Sequence, residues 1–88
     1  MYLLVYDYVA DIVERREPHR ERHLERIRHA RDDGVIVMAG ATGEPPTGAL
    51  LIFDVDNPTL VEEFAEDDPY VLEKLVTDWR VVPWAVVP

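Results

Sequence analysis

His23 and the corner Asp68-Pro69-Tyr70 are the residues of this chain whose types best suit proton-transfer chemistry. Histidine titrates near neutrality, and a carboxylate that contacts its ring can orient it as a general acid or base. The two lie far apart in the chain, so they form a pair only if the fold brings them together. The elements that carry them therefore decide whether the chain has an active site.

Each of these residues also has an ordinary structural interpretation. Successive residues of an α-helix are rotated by about 100°, so His23 shares a helical face with Ile27 and Ala30 and points toward a sheet. It is then either a catalytic group or a histidine at the core edge with one hydrogen bond. Asp68 precedes a proline, which is typical of a turn start. Tyr70 is a pocket wall, a hydroxyl donor or an aromatic plug over the core.

Other catalytic chemistries find little support in the sequence. There is no serine and no cysteine, which excludes serine and thiolate nucleophiles, disulfides and cysteine metal sites. His19 and His23 have the i,i+4 spacing of metal ligands, but no third ligand completes a pattern, so we predict no metal site. No glycine-rich phosphate loop occurs, and we predict no cofactor. His29 falls on the polar side of the predicted helix, at the surface.

The net charge of −9, from 9 Lys+Arg and 18 Asp+Glu, disfavours binding to nucleic acid or to anionic membranes. The arginines are nevertheless concentrated on one predicted helix, where glutamates alternate with them: Arg15, Arg16, Arg20, Arg22, Arg26, Arg28 and Arg31. This pattern favours a solvent face with salt bridges. A single arginine that reaches a substrate carboxylate is the alternative, and Arg20 is the candidate.

Targeting and membrane-spanning patterns are not recognisable. The first residues carry no basic leader, and no apolar run approaches the ~20 residues that span a bilayer. We therefore predict no membrane association and a cytoplasmic location.

Aromatic and β-branched runs, helical spacing and chain breakers predict the secondary structure. Pro18 fits only the first turn of a helix, so the first helix is expected to begin near Glu17, with an irregular loop before it. Gly34 ends that helix, and Pro69 ends the next one. The predicted elements are strand 2–8, helix 15–33, strand 35–39, loop 40–48, strand 49–55, helix 59–66, helical turn 70–75 and strand 79–87.

The order β-α-β-β-α-β is the ferredoxin-like pattern, in one domain that covers residues 1–88. Residues 35–39, 49–53 and 81–87 are apolar at nearly consecutive positions, as in strands with both faces buried. Two helices cover only one face of a four-stranded sheet. We therefore predict a homodimer in which a second copy covers the other face.

Four short motifs, in this order and spacing, resemble the YCII-related (YciI-like) family. They are Arg20-Glu-Arg-His23-Leu24, Gly34 with Ala39-Gly40, Ala65-Glu-Asp-Asp-Pro-Tyr70 and Val82-Pro83-Trp84. The chain departs from the family pattern at Ala41, Ala49 and Lys74. Lys74 stands where a glycine is frequent, which predicts a more helical turn there.

The resemblance implies an α+β fold of the dimeric α/β-barrel type, with His23 and Asp68 as the active-site pair. The family resembles small dimeric isomerases in architecture, and one branch includes dehydrochlorinases that act on chlorinated hydroxyquinones. We therefore predict a cofactor-free enzyme with isomerase or lyase chemistry on a small, aromatic or lactone-like substrate. The predicted substrate contacts are Arg20, Tyr6, Gly40 and Tyr70. The alternative is a non-catalytic dimeric ligand-binding or interaction domain in which the His/Asp pair is structural.

Overall fold

Four strands form one antiparallel sheet in the computed structural model, which describes residues 1–88. The strands are β1 (Tyr2–Tyr8), β2 (Ile36–Thr42), β3 (Gly48–Phe53) and β4 (Val76–Pro83). Their order across the sheet is β2-β3-β1-β4. The two central strands are therefore β3 and β1, and the sheet has the ferredoxin-like arrangement that the sequence predicts.

The helices lie in two of the three connections between strands, those from β1 to β2 and from β3 to β4. The first connection contains the short helix α1 (Ile12–Arg15), a 3-10 turn (Glu17–His19) and the long helix α2 (Arg20–Asp32). The second contains α3 (Pro58–Glu66) and the single turn α4 (Pro69–Leu72). None of the helices combines the length and the apolar composition of a transmembrane helix.

Local signals explain where the two longer helices end and begin. Gly34 follows α2 with φ 75°, a left-handed conformation that glycine adopts at little cost. The amide of Val35 then donates to the carbonyl of Ala30 at 2.8 Å, which closes the helix end. At the start of α3, Asn57 caps the helix, because its side chain accepts a hydrogen bond from the amide of Thr59 at 2.9 Å.

The core lies between the helices and one face of the sheet. Along β1, the alternation of strand side chains buries Leu4 and Tyr6 on this face. The other fully buried side chains of the main core come from β2, β3 and α3: Ile36, Ala49, Leu51, Phe53, Val61 and Ala65. A second small cluster of Ile12, Tyr70 and Leu75 packs under α1 and α4.

A close approach of two strands makes one glycine necessary. A methyl group added at Gly48 would lie 2.2 Å from the carbonyl oxygen of Tyr6. A side chain at this position would therefore push β3 away from β1, and the core strand Ala49–Phe53 with it.

Several predicted boundaries are corrected by the structure. The strand predicted at 79–87 begins at Val76 and ends at Pro83, because β4 pairs with β1 back to Tyr8 through an irregular register. β2 continues to Thr42, inside the predicted loop. The segment before Glu17, predicted as irregular, contains α1, which is too short to show a helical period.

The turn after α4 also differs from the prediction. Lys74 has φ 60°, so it leaves the helix in the left-handed conformation instead of extending it. The amide of Leu75 donates to the carbonyl of Tyr70 at 2.9 Å, the same closure that Gly34 supports at the end of α2. In addition, Pro69 occupies the first turn of α4, where proline is tolerated, instead of only ending α3.

Candidate active site

Asp68 is held at the corner between α3 and α4. Its backbone is extended, and its carboxylate caps α4 by accepting a hydrogen bond from the amide of Tyr70 at 3.0 Å. The side chain is fully buried, with 0% of the residue exposed. The turn interpretation of Asp68 is therefore correct, and it leaves the carboxylate oxygens available for further donors.

The fold brings His23 and Asp68 together. Nδ1 of His23 lies 2.8 Å from one carboxylate oxygen of Asp68, although the two residues are 45 positions apart. His23 is 5% exposed, as its place on the inward face of α2 predicts. An ionised carboxylate only accepts hydrogen bonds, so a bond to ionised Asp68 requires a proton on Nδ1, and Nε2 is the ring nitrogen outside this contact.

Tyr6 completes this set from the centre of the sheet. Its hydroxyl donates to the second carboxylate oxygen of Asp68 at 2.7 Å. Burial, together with the charge of Asp68 and the hydrogen bond to it, raises the pKa of Tyr6 well above its ordinary value, so the hydroxyl remains a donor. Tyr6 lies behind Asp68 and does not line the cavity. The Tyr6 hydroxyl contacts Asp68, and its contact with a substrate stays a prediction.

Aromatic rings hold the imidazole from the side. The rings of His23 and Tyr70 stack with centroids 3.7 Å apart and an interplanar angle of 6°. The ring of Tyr8 meets Tyr70 edge-on at 6.0 Å. Burial raises the pKa of Tyr70, while the guanidinium groups of Arg16 and Arg20 oppose the rise. With Asp68 on one edge and Tyr70 against its face, the imidazole has a fixed orientation.

A cavity of about 340 Å³ lies between α2 and the sheet, beside His23. Strands β2 and β3 supply a floor of small residues, Ala39, Gly40, Ala41 and Ala49. Helix α2 supplies the opposite wall, since Arg20, Leu24, Ile27, Arg28 and Arg31 recur along one helical stripe. Tyr8, Arg16, Tyr70 and Leu51 complete the lining. Among the predicted substrate contacts, Arg20, Gly40 and Tyr70 are therefore in the cavity wall. The volume suits a small ligand.

The free nitrogen of His23 is the group that connects the buried set to this cavity. Nε2 has no hydrogen-bond partner in the protein. Only one side-chain nitrogen or oxygen is both fully buried and without a partner, and it is Nε of Arg16. Nε2 of His23 is therefore accessible to solvent. His23 lines the cavity. A basic nitrogen with a fixed orientation thus faces a space of substrate size.

The arginine-rich helix is only partly the salt-bridged face that the sequence favours. Arg15 pairs with Asp11 at 3.7 Å, and Arg28 pairs with Glu21 at 2.8 Å. Arg16, Arg20 and Arg31 have no carboxylate within 4.0 Å, and all three line the cavity. Arg16 has no sequence signal of this position, because its neighbours in the chain suggest surface ion pairs and only the tertiary structure shows where its guanidinium lies.

The other two histidines lie outside the set. His19 is held at the surface, where Nδ1 is 2.9 Å from the guanidinium of Arg22 and Nε2 is 3.6 Å from Glu73. His29 is exposed, as predicted. Because Nδ1 of His23 is directed at Asp68, the i,i+4 pair His19 and His23 does not converge on a common point. No group of three potential metal-binding side chains is present.

Comparison with known proteins agrees with this architecture. The family model of the YCII-related domain matches residues 1–85, and the chain belongs to this family. No curated protein matches the sequence. A solved structure with the same fold is 5-chloro-2-hydroxyhydroquinone dehydrochlorinase (TftG) from Burkholderia phenoliruptrix AC1100, in complex with 2,5-dihydroxybenzoquinone. The two are 22% identical with a TM-score of 0.78, over 97% of this chain and 94% of that chain.

Proposed function

We propose that this protein is a cofactor-free enzyme that uses His23 as a general acid and base in an isomerisation or elimination on a small organic molecule. The observation that carries the proposal is the geometry of His23. Its Nδ1 is fixed at 2.8 Å from a buried carboxylate, while Nε2 is unpartnered and belongs to a side chain that lines the cavity. This is the arrangement of an oriented base that faces a substrate.

The proposed mechanism needs only groups of this chain. Nε2 of His23 takes a proton from a carbon of the substrate, and the C–H electron pair moves into the substrate. The resulting imidazolium is stabilised by the charge of Asp68 and returns the proton to another atom of the substrate or to a departing group. Tyr6 holds Asp68 in place through its 2.7 Å hydrogen bond. Proton transfer by a positioned side chain contributes about 10²–10⁴-fold to a rate.

Two features support a small, flat substrate with an aromatic or lactone-like ring. The floor of the cavity consists of alanines and Gly40, which leaves room above the sheet for a planar body. The TftG complex contains a dihydroxybenzoquinone, a single-ring molecule, in a protein with this fold. We therefore place the substrate of this chain among single-ring compounds of similar size.

Substitution of the pair tests the mechanism. We expect His23→Ala and Asp68→Asn each to reduce turnover of substituted quinols, lactones or ring acids by about 10²-fold or more, measured by absorbance. His29→Ala is the matched control, because this histidine is exposed and its ion-pair partner is Glu25, not Asp68. Rates that are unchanged in folded His23→Ala protein would remove the mechanism.

We also propose that the protein is a homodimer, located in the cytoplasm, in which the open sheet face is the interface. Strand alternation and register direct Leu3, Ile52 and Val82 away from the helices, in one row across the sheet. Met38, which pairs with Ile52 on the edge strand, is 64% exposed in the single chain. A charged substitution in this row, Ile52→Lys, is expected to yield monomers in light scattering, whereas an exposed change on α2, Glu25→Lys, is not.

A second candidate is a ligand-binding domain in which the pair is structural, and the tight packing of His23 favours it. The ring is stacked on Tyr70 and tied to Asp68, so it also joins α2 to the α3–α4 corner. Titration of the His23 ring by NMR separates the two candidates. A ring that responds to pH and to added cavity ligands supports the enzyme. A flat response supports the structural role.

A further inference from the structure

The arginines around the cavity differ from the other arginines in their partners. Outside the cavity, Arg26 donates to the carbonyl of Phe64 at 3.0 Å, and Arg80 lies 3.9 Å from Asp7. Among the cavity arginines, Arg28 alone has a carboxylate, Glu21. Arg16, Arg20 and Arg31 have none within 4.0 Å, in a chain with 18 acidic residues and 9 basic ones. Arg22 and Arg26, outside the cavity, also lack a carboxylate, but each has another partner, His19 and the carbonyl of Phe64.

One of these guanidinium groups contains a buried donor without an acceptor. Nε of Arg16 is sealed from solvent and makes no hydrogen bond. A buried unsatisfied donor is unfavourable and rare in folded proteins. Nε itself is closed to solvent, but the Nη nitrogens of Arg16 are not among the sealed atoms without a partner, and Arg16 lines the cavity. A ligand with an anionic or strongly accepting group would therefore meet the guanidinium through its Nη nitrogens.

The remaining lining excludes a cationic ligand and favours a flat one. No aspartate or glutamate lines the cavity. The floor is apolar and the end wall is aromatic, with His23 and Tyr70 stacked there. The guanidinium groups of Arg16 and Arg20 oppose the rise in the pKa of Tyr70, whose ring stacks on His23, and all four residues line the same cavity. The cavity thus combines an apolar floor with guanidinium groups and the stacked His23 and Tyr70 rings.

We infer that the substrate is a small ring carboxylate, whose carboxylate is bound by Arg16 and Arg20 while its ring lies on the alanine floor. A guanidinium group binds a carboxylate through two parallel hydrogen bonds, which adds orientation to affinity. The inference names the substrate class of the site proposed above and rests on that proposed function for its catalytic meaning. It also separates the ligand class of this chain from neutral quinones and quinols.

Binding of carboxylates and their neutral analogues tests the inference without turnover. The probes are benzoate, salicylate and protocatechuate, each beside its own carboxamide, titrated by calorimetry and NMR at neutral pH. We expect the carboxylates to bind about tenfold or more tightly than the amides. The variants Arg16→Gln and Arg20→Gln should each reduce the ratio of carboxylate to amide affinity toward one. Arg20 is at an exposed position. Arg22→Gln is the matched control, since it removes the same charge from the same helix outside the cavity and should leave the ratio unchanged.

Two results would overturn the inference: no carboxylate of the panel binds, or the preference for carboxylates persists when Arg16 and Arg20 are both replaced. The failure of the proposed function is a separate result. If His23→Ala leaves turnover unchanged, the mechanism fails while the carboxylate preference stands. If a neutral compound is turned over by His23 and the amides bind as well as the acids, this inference fails and the mechanism stands.

Discussion

The two sides of the cavity differ in how their polar groups are satisfied. On one side, Tyr6, His23 and the amide of Tyr70 all donate to the buried carboxylate of Asp68. On the other side, the guanidinium groups of Arg16 and Arg20 face the cavity without a carboxylate, and Nε of Arg16 has no acceptor at all. Satisfied buried networks hold one geometry, whereas charged groups without a partner that line a cavity remain available to a ligand. The first side is therefore suited to orienting a ring, and the second to receiving a ligand.

The largest effect on stability is expected at Asp68, on the side of the cavity where the polar groups are hydrogen-bonded. Asp68→Ala removes the acceptor of three donors and leaves the Tyr6 hydroxyl, the His23 ring and the Tyr70 amide unpaired in the interior. We expect the free energy of unfolding to fall by about 3 kcal/mol or more, measured by urea denaturation. Asp67→Ala, at the exposed neighbouring position, is the control. Equal losses in the two variants would show that the network contributes little.

Alkaline pH should lower the free energy of unfolding through the buried tyrosines on the same side of the cavity. Burial raises the pKa values of Tyr6 and Tyr8 above the ordinary value of 10.0. The stability from these raised values is fully present below pH 10 and is lost above it, because the unfolded chain then releases protons that the folded chain retains. Each of the two tyrosines is expected to lower the free energy of unfolding by about 1.4 kcal/mol per pH unit. Thermal denaturation from pH 8 to about 11 measures this slope. In Tyr6→Phe protein the slope should decrease, and an unchanged slope would contradict the assignment to Tyr6.

Removal of the Tyr6 hydroxyl is expected to lower the free energy of unfolding by less than Asp68→Ala does. Tyr6→Phe keeps the buried ring but leaves Asp68 with two types of donor instead of three. We expect a cost of about 1–2 kcal/mol in denaturant unfolding, together with a fall in kcat that is larger than any change in KM, since Tyr6 is expected to act through Asp68. Tyr2→Phe is the control, because the Tyr2 hydroxyl has no hydrogen bond to Asp68. A rise in KM at unchanged kcat would argue against a positioning role.

Substitution on the arginine side of the cavity should not lower the free energy of unfolding. Arg16→Met keeps the length and apolar contacts of the side chain but removes the unsatisfied Nε. Without ligand, we expect the free energy of unfolding to stay constant or to rise by up to about 1 kcal/mol. The control is Arg15→Met, which removes an exposed arginine with a carboxylate partner. Clear destabilisation of Arg16→Met would mean that Arg16 has a structural partner in solution, and the contrast between the two sides would be lost.

The smallest effect on stability is expected at the turn that follows α4. Lys74 has φ 60°, and the corresponding residue at the end of α2 is Gly34, with φ 75°. Lys74→Gly is expected to raise the free energy of unfolding by about 0.5–1 kcal/mol, because glycine has no Cβ to strain this conformation. Gly34→Ala should lower it by a similar amount, and the melting temperatures of the two variants report both changes. If Lys74→Gly is destabilising, its side chain makes contacts that outweigh the backbone strain.

Features that depend on residues close together in the chain could be predicted from the sequence. The order of strands and helices, the helix end at Gly34 and the inward face of His23 all follow from periodicity and from residues that favour a single conformation. The strand at Val76 and the short helix at Ile12 could not be located in this way. Register depends on the partner strand, and one helical turn has no period to detect.

The pattern of residues by itself determined that this chain forms a ferredoxin-like sheet, with one histidine facing inward and an aspartate at a proline corner. Only the tertiary structure decided that Asp68 meets both His23, 45 positions away, and Tyr6, 62 positions away. It also decided that Arg16 lies at the cavity with an unsatisfied donor instead of in a surface ion pair. The physical reason is that side-chain partners are set by strand order and helix packing, which join segments that carry no local signal of one another.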